Sequence, residues 1–117
     1  MLDIVKHIHV GDKEYPMAFT LNVMEAIQEK YGSMDKWSDA LEPDDGEPSF
    51  ADIKWIFTEL FNEGIDIENE DKGTDRAFLT PKKVGRIISA MGMGTMQGEL
   101  LGIMNASVGA GEETKNE

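Results

Sequence analysis

The chain begins with an alternating run. Between Asp3 and Val10, Ile4, Ile8 and Val10 share one face with Lys6, while Asp3, Val5, His7 and His9 take the other. A period of two residues predicts a strand. Tyr15 to Thr20 predicts the return strand, with Tyr15, Met17 and Phe19 on one side. Pro16 has no amide hydrogen, so it belongs at an edge or near the strand's start. The polar stretch Gly11 to Glu14 between the two runs suits a longer hairpin loop.

The period then becomes helical. Val23, Met24, Ile27 and Tyr31 make an apolar stripe that starts near Thr20 or Asn22 and ends at Gly32. Asn22 with Glu25 has part of a capping box. Ser33 caps a short second helix with Met34, Trp37, Ala40 and Leu41 inward, and Pro43 to Pro48 is a loop. Ser49 and Asp52 cap a third helix. Its stripe is Phe50, Ile53, Ile56, Phe57, Leu60 and Phe61, with Gly64 as its end and Trp55 off the stripe, facing an edge or a partner. This is the most apolar helix and the expected centre of the core. Residues 65–76 read as an acidic loop. Thr80-Pro81 starts a fourth helix with Val84, Ile87, Ile88 and Met91 inward. Met91 to Gly94 reads as a hinge. Thr95 is the expected cap of a last helix through Val108, with Leu100, Leu101, Ile103 and Met104 as apolar positions.

These elements predict a mainly α fold: an N-terminal β-hairpin packed on four to five short helices. Residues 1–108 form one domain, and residues 109–117 are an expected disordered polar tail. A length of 117 residues supports one core.

Charge narrows the function classes. The net charge is −12 and is concentrated in residues 35–75, with fourteen acidic and three basic side chains; residues 76–108 are net +3. This balance argues against nucleic acid and anionic lipid as partners. The acidic middle either keeps the chain solvated or steers a basic partner. There are no cysteines, which fits a reducing cytoplasm. The start of the chain lacks the apolar region of a signal peptide. No apolar run is long enough to span a membrane.

The candidate chemistry is thin. His7 and His9 share a strand face with Asp3, but a transition-metal site usually needs three or four protein ligands, and no further His or Cys exists. Asp66 to Ala77 imitates a calcium loop, yet Asp71 and Ala77 stand where glycine and glutamate are required. Gly92, Gly94 and Gly98 do not follow a strand, as a dinucleotide fingerprint would. No carboxylate pairs with a base in a way that assigns acid and base roles. The sequence predicts no enzyme and no cofactor. The fourth and fifth helices resemble a helix-turn-helix unit bearing Lys82, Lys83 and Arg86, but the would-be reading helix has Glu99 and no Lys or Arg through Val108.

One pattern stands out. Gly94, Gly98, Gly102 and Ala106 recur at every fourth residue. On a helix they form a smooth stripe that admits a second backbone, from the same chain or from a partner. Met91, Met93, Met96 and Met104 cluster nearby. The candidate partner-binding residues are therefore Met93, Gly94, Gly98, Leu101, Gly102 and Trp55.

Tyr15, Pro16, Phe19, Thr20 and Asn22 lead into a helix ending at Tyr31-Gly32, and the helix from Leu79 to Ile88 reads LTPKKVGRII. This arrangement, over roughly residues 3–106, resembles the tail assembly chaperones of long-tailed bacteriophages. The shared motifs concern packing and capping. The resemblance implies a small, mainly helical protein of the host cytoplasm. Such proteins coat the tape-measure protein, keep it soluble and recruit tail-tube subunits. It also implies a longer frameshifted form, whose extension would begin in the polar tail. The oligomeric state stays open, a homo-oligomer included. The competing readings are a structural virion component, such as a tail-tube or connector subunit, and a small helix-turn-helix DNA-binding regulator.

Overall fold

A computed structural model describes residues 4–116, with side chains as far as Ala106. It is mainly α, with an antiparallel hairpin followed by five helices. The hairpin is β1 (Val5–Val10) and β2 (Lys13–Ala18). The helices are α1 (Leu21–Tyr31), α2 (Met34–Leu41), α3 (Phe50–Lys72), α4 (Pro81–Met91) and α5 (Met93–Asn116). Asp3 lies outside the described residues, and α5 continues past Val108, its expected end, so that residues 109–116, expected as a disordered tail, are helical.

The hairpin turns more tightly than its polar stretch suggests. Val10 pairs with Lys13, so Gly11 and Asp12 alone form the loop. Gly11 has φ +63, a value that glycine adopts at no steric cost. Lys13 and Glu14 are strand residues, and polarity alone did not reveal that.

Strand β2 is buried on both faces. Tyr15, Pro16, Met17, Ala18 and Phe19 are all buried, so the one-sided alternation expected there does not hold. The cause is α3, which packs directly against the strand's backbone. An ideal Cβ placed on Gly64 would lie 2.6 Å from Met17 N and 2.6 Å from Pro16 C. Only glycine lets the two backbones come this close. Gly64 is therefore a packing residue inside α3 and not the helix end.

The helix continues to Lys72 and closes at Gly73. At 1.5 Å per residue its length is about 34 Å. Residues 65–72, expected as an acidic loop, are helical because Ile65 is fully buried and the acids project sideways. Glu68 also meets Lys72 one turn on, at 3.4 Å. The calcium-like spacing is thereby dispersed around a helix.

Two asparagines on α3 hold the segment that follows. Asn62 donates to Leu79 O and accepts from Leu79 N. Asn69 donates to Arg76 O and accepts from Arg76 N and the Thr74 hydroxyl. Arg76 then reaches the Glu14 carbonyl and lies over the Tyr15 ring.

The first four helix starts agree with the sequence. Thr20, Ser33, Ser49 and Thr80 each accept a backbone N–H three residues on. Asn22 is inside α1, where it donates to Glu63. Helix α5 starts at Met93, directly after the Gly92 cap of α4, so Thr95 lies within it. The core joins Phe57, Leu60 and Phe61 of α3 with Ile27, Trp37, Val84, Met96 and Ile103. Phe50, expected in the apolar stripe, is 62% exposed at the first turn of α3.

Candidate functional site

Helix α5 divides its faces cleanly. Met96, Leu100 and Ile103 are buried, with Met93 and Met104 packed at their margins. Gly94, Gly98, Leu101 and Asn105 recur at helical spacing on the opposite, exposed side. A Cβ on Gly94 or Gly98 would meet nothing within 4 Å, and one on Gly102 would meet only Lys6 Nζ, at 3.3 Å. The stripe is therefore not packed against another helix among the described residues. Leu101, in the middle of this face, is 56% exposed.

The exposed face continues into an apolar cleft. Trp37 and Leu41 of α2, Ile53, Ile56 and Phe57 of α3, and Leu100, Leu101 and Met104 of α5 line it. Its volume is ≈ 100 Å³. An apolar cavity of about 150 Å³ takes up benzene, and drug-sized ligands need roughly 300 Å³ or more. The cleft fits a single large side chain. Trp37 is 2% exposed, and its indole N–H has no acceptor among the described residues. A buried donor left without a partner costs about 1–3 kcal/mol.

Ser38 and Glu42 stand at the mouth of the cleft. In sequence around them, α2 and the loop after it carry Asp35, Asp39, Glu42, Asp44, Asp45 and Glu47 against one lysine, Lys36. None of these six carboxylates is in an ion pair among the described residues. Within residues 93–106 of α5 the one charge is Glu99, which lies 2.8 Å from Lys6 as a charge contact without hydrogen-bond geometry.

The other sequence candidates separate. Met93 flanks the core beside α4 and Phe50. Trp55 is on a different surface. It meets the Tyr31 ring edge-on at 5.7 Å, with Lys30 over its own ring. Tyr31 donates to Asp52, and burial together with this bond and the Asp52 charge pushes the phenol well above its ordinary range. Trp55 is thus covered by its own chain and does not join the α5 face.

The histidines are tied to separate carboxylates. His7 Nε2 lies 2.5 Å from Glu68, and His9 Nε2 lies 3.4 Å from Glu14. Burial raises the Glu68 carboxyl, but the hydrogen bond and charge of His7, aided by Lys72, outweigh it and hold the group below its ordinary value. A second hollow, lined by Glu59, Asn62, Glu63, Asp66 and Phe78, is polar. Burial, then the Glu63 charge, pushes Glu59 up. Glu63 itself accepts from Thr20 and Asn22 and fastens α1 to α3. No group of His, Cys, Asp and Glu able to hold a metal ion occurs among the described residues.

Sequence reasoning found Leu101 and the glycines but missed the cleft. Trp37, Leu41 and Phe57 read as ordinary core positions, and no periodicity reveals that three helices leave a gap between them. No helix among the described residues is long and apolar enough to cross a membrane. Comparison with protein-family models, curated proteins and solved structures finds no match.

Proposed function

We propose that this chain is a non-enzymatic assembly chaperone that binds the tape-measure protein of a long-tailed phage and recruits tail-tube subunits, acting in the host cytoplasm. One observation carries the protein-binding part of this reading. The free chain leaves Leu101 and the open glycine side of α5 uncovered beside an apolar cleft. An exposed leucine at the edge of an apolar cleft offers a partner one apolar contact and a seat for one side chain. The phage assignment adds to this the resemblance of the hairpin-to-helix entry and of the Leu79–Ile88 segment.

The test begins with the neighbouring genes, which should include one for a long tape-measure protein, and co-expresses its product with this chain. The tape-measure protein should stay soluble with this chain and precipitate without it, and the chain should be absent from purified virions. Its presence there at tail-subunit stoichiometry would replace the chaperone reading with a structural one. The exposed Lys82, Lys83 and Arg86 on α4 favour the DNA-binding alternative, but α5 lacks basic residues through Ala106 to read a groove. Sub-micromolar duplex binding at about 150 mM salt, tighter than typical non-specific binding, would support that alternative.

A further inference from the structure

We propose that the cleft between α2, α3 and α5 docks a basic amphipathic helix, seating one large apolar side chain between Trp37, Phe57 and Leu101, with its lysines or arginines against Glu42 and the acidic segment 35–47 that contains it. The inference rests on the reading of the chain as a protein-binding module and not on the phage assignment.

Three observations select this occupant. The cleft has room for one anchoring side chain and is too small for a drug-sized ligand. Its lining continues over Leu101 onto an α5 face where Gly94 and Gly98 have no neighbour within 4 Å of a Cβ, so a rod-shaped partner can approach the backbone there. Glu42 lines the cleft, the α2 segment and loop around it carry five further carboxylates, none of the six is in an ion pair among the described residues, and the part of α5 that borders the cleft supplies no basic residue of its own. A helix in a groove places anchors at i, i+3 or i+4, and i+7, and its polar flanks lie over the rim. Opposite charges across that rim steer encounter and select the partner's sign.

Synthetic peptides test the occupant directly. The probe is a helical peptide of about five turns, with leucines at i, i+3, i+4 and i+7 spacing and lysines elsewhere. Binding is read from Trp37 fluorescence in the Trp55→Phe chain, where Trp37 is the sole tryptophan. The lysine peptide should bind with an affinity that falls as salt rises. A peptide with glutamates for lysines, and a scrambled peptide of the same composition, should each bind at least tenfold more weakly. Leu101→Asp should weaken the lysine peptide at least tenfold and leave melting unchanged. This loss runs against the added negative charge, so it reports the apolar contact.

Equal binding of the glutamate or scrambled peptide would overturn the proposal, as would unchanged affinity in Leu101→Asp. A concentration-dependent dimer in sedimentation that Leu101→Asp abolishes would assign the cleft to a second copy instead. Uptake of an apolar dye without any response to the lysine peptide would assign it to a small ligand. The purified chain suffices throughout. Failure here therefore leaves the tape-measure reading standing, and failure of that reading leaves this one standing.

Discussion

Helices α3 and α5 are nearly equal in length, at 23 and 24 residues, and both carry glycine in their interior. The glycines serve opposite conditions. Gly64 of α3 touches the β2 backbone so closely that no side chain fits, whereas Gly98 of α5 has open space around its Cα. Around Gly64 the helix is buried by Leu60, Phe61 and Ile65; around Gly98 it exposes Leu101 and Asn105. A glycine in a helix costs roughly 1 kcal/mol relative to alanine. In α3 that cost is offset by close packing against the hairpin. At Gly94 and Gly98 of α5 no close contact within the described chain offsets it.

The largest expected effect tests the burial side of this contrast. Phe57→Ala should destabilise the fold by about 3–5 kcal/mol, because removing a buried aromatic ring leaves a cavity. Leu101→Ala should stay within about 0.5 kcal/mol, as surface changes do. Chemical denaturation of the two variants measures the difference. Comparable losses would mean that Leu101 is covered in solution and that the α5 face is not free.

The glycines themselves give the next effect. Gly64→Ala should cost about 1–3 kcal/mol through overpacking, since backbone and not a flexible side-chain end stands in the way. Gly98→Ala should instead stabilise by about 0.5–1 kcal/mol, through helix propensity alone. Opposite signs of the melting shift in the two variants would sharpen the comparison; equal signs would break it.

The smallest effect is a pH dependence on α3. The Glu68 carboxyl is held low in the fold, so its contribution is complete above the ordinary carboxylate value. It is lost as pH falls through the depressed folded value. Glu59 is shifted the other way, so its ionised form weakens the fold at neutral pH. Glu59→Gln should therefore raise the melting temperature slightly at pH 7, and the gain should vanish in acid. Glu68→Gln should lower it at pH 7 and flatten the acid limb. Melting curves from pH 7 downward separate the two.

The starts of the first four helices, the helix faces and the mainly α class were legible because they depend on neighbours in sequence. A capping hydroxyl bonds an N–H three residues away, and an apolar stripe repeats every turn, so Thr20, Ser33, Ser49 and Thr80 announce themselves. Long-range geometry was not legible. Gly64 reads as a helix end until Pro16 and Met17 are seen against it. The acidic stretch after it reads as a loop until Ile65 is found in the core and Asn62 and Asn69 are found holding residues 74–79.

The same division applies to the candidate surface. The four-residue spacing of Gly94, Gly98 and Gly102 is written in the chain and determines a smooth strip on a helix. Whether that strip is filled or open depends on which elements pack nearby, and local spacing says nothing of this. Only the tertiary arrangement of α2, α3 and α5 leaves a gap between Trp37, Phe57 and Leu101 and sets Glu42 beside it. The cleft is a space between elements, and its walls come from residues about sixty positions apart.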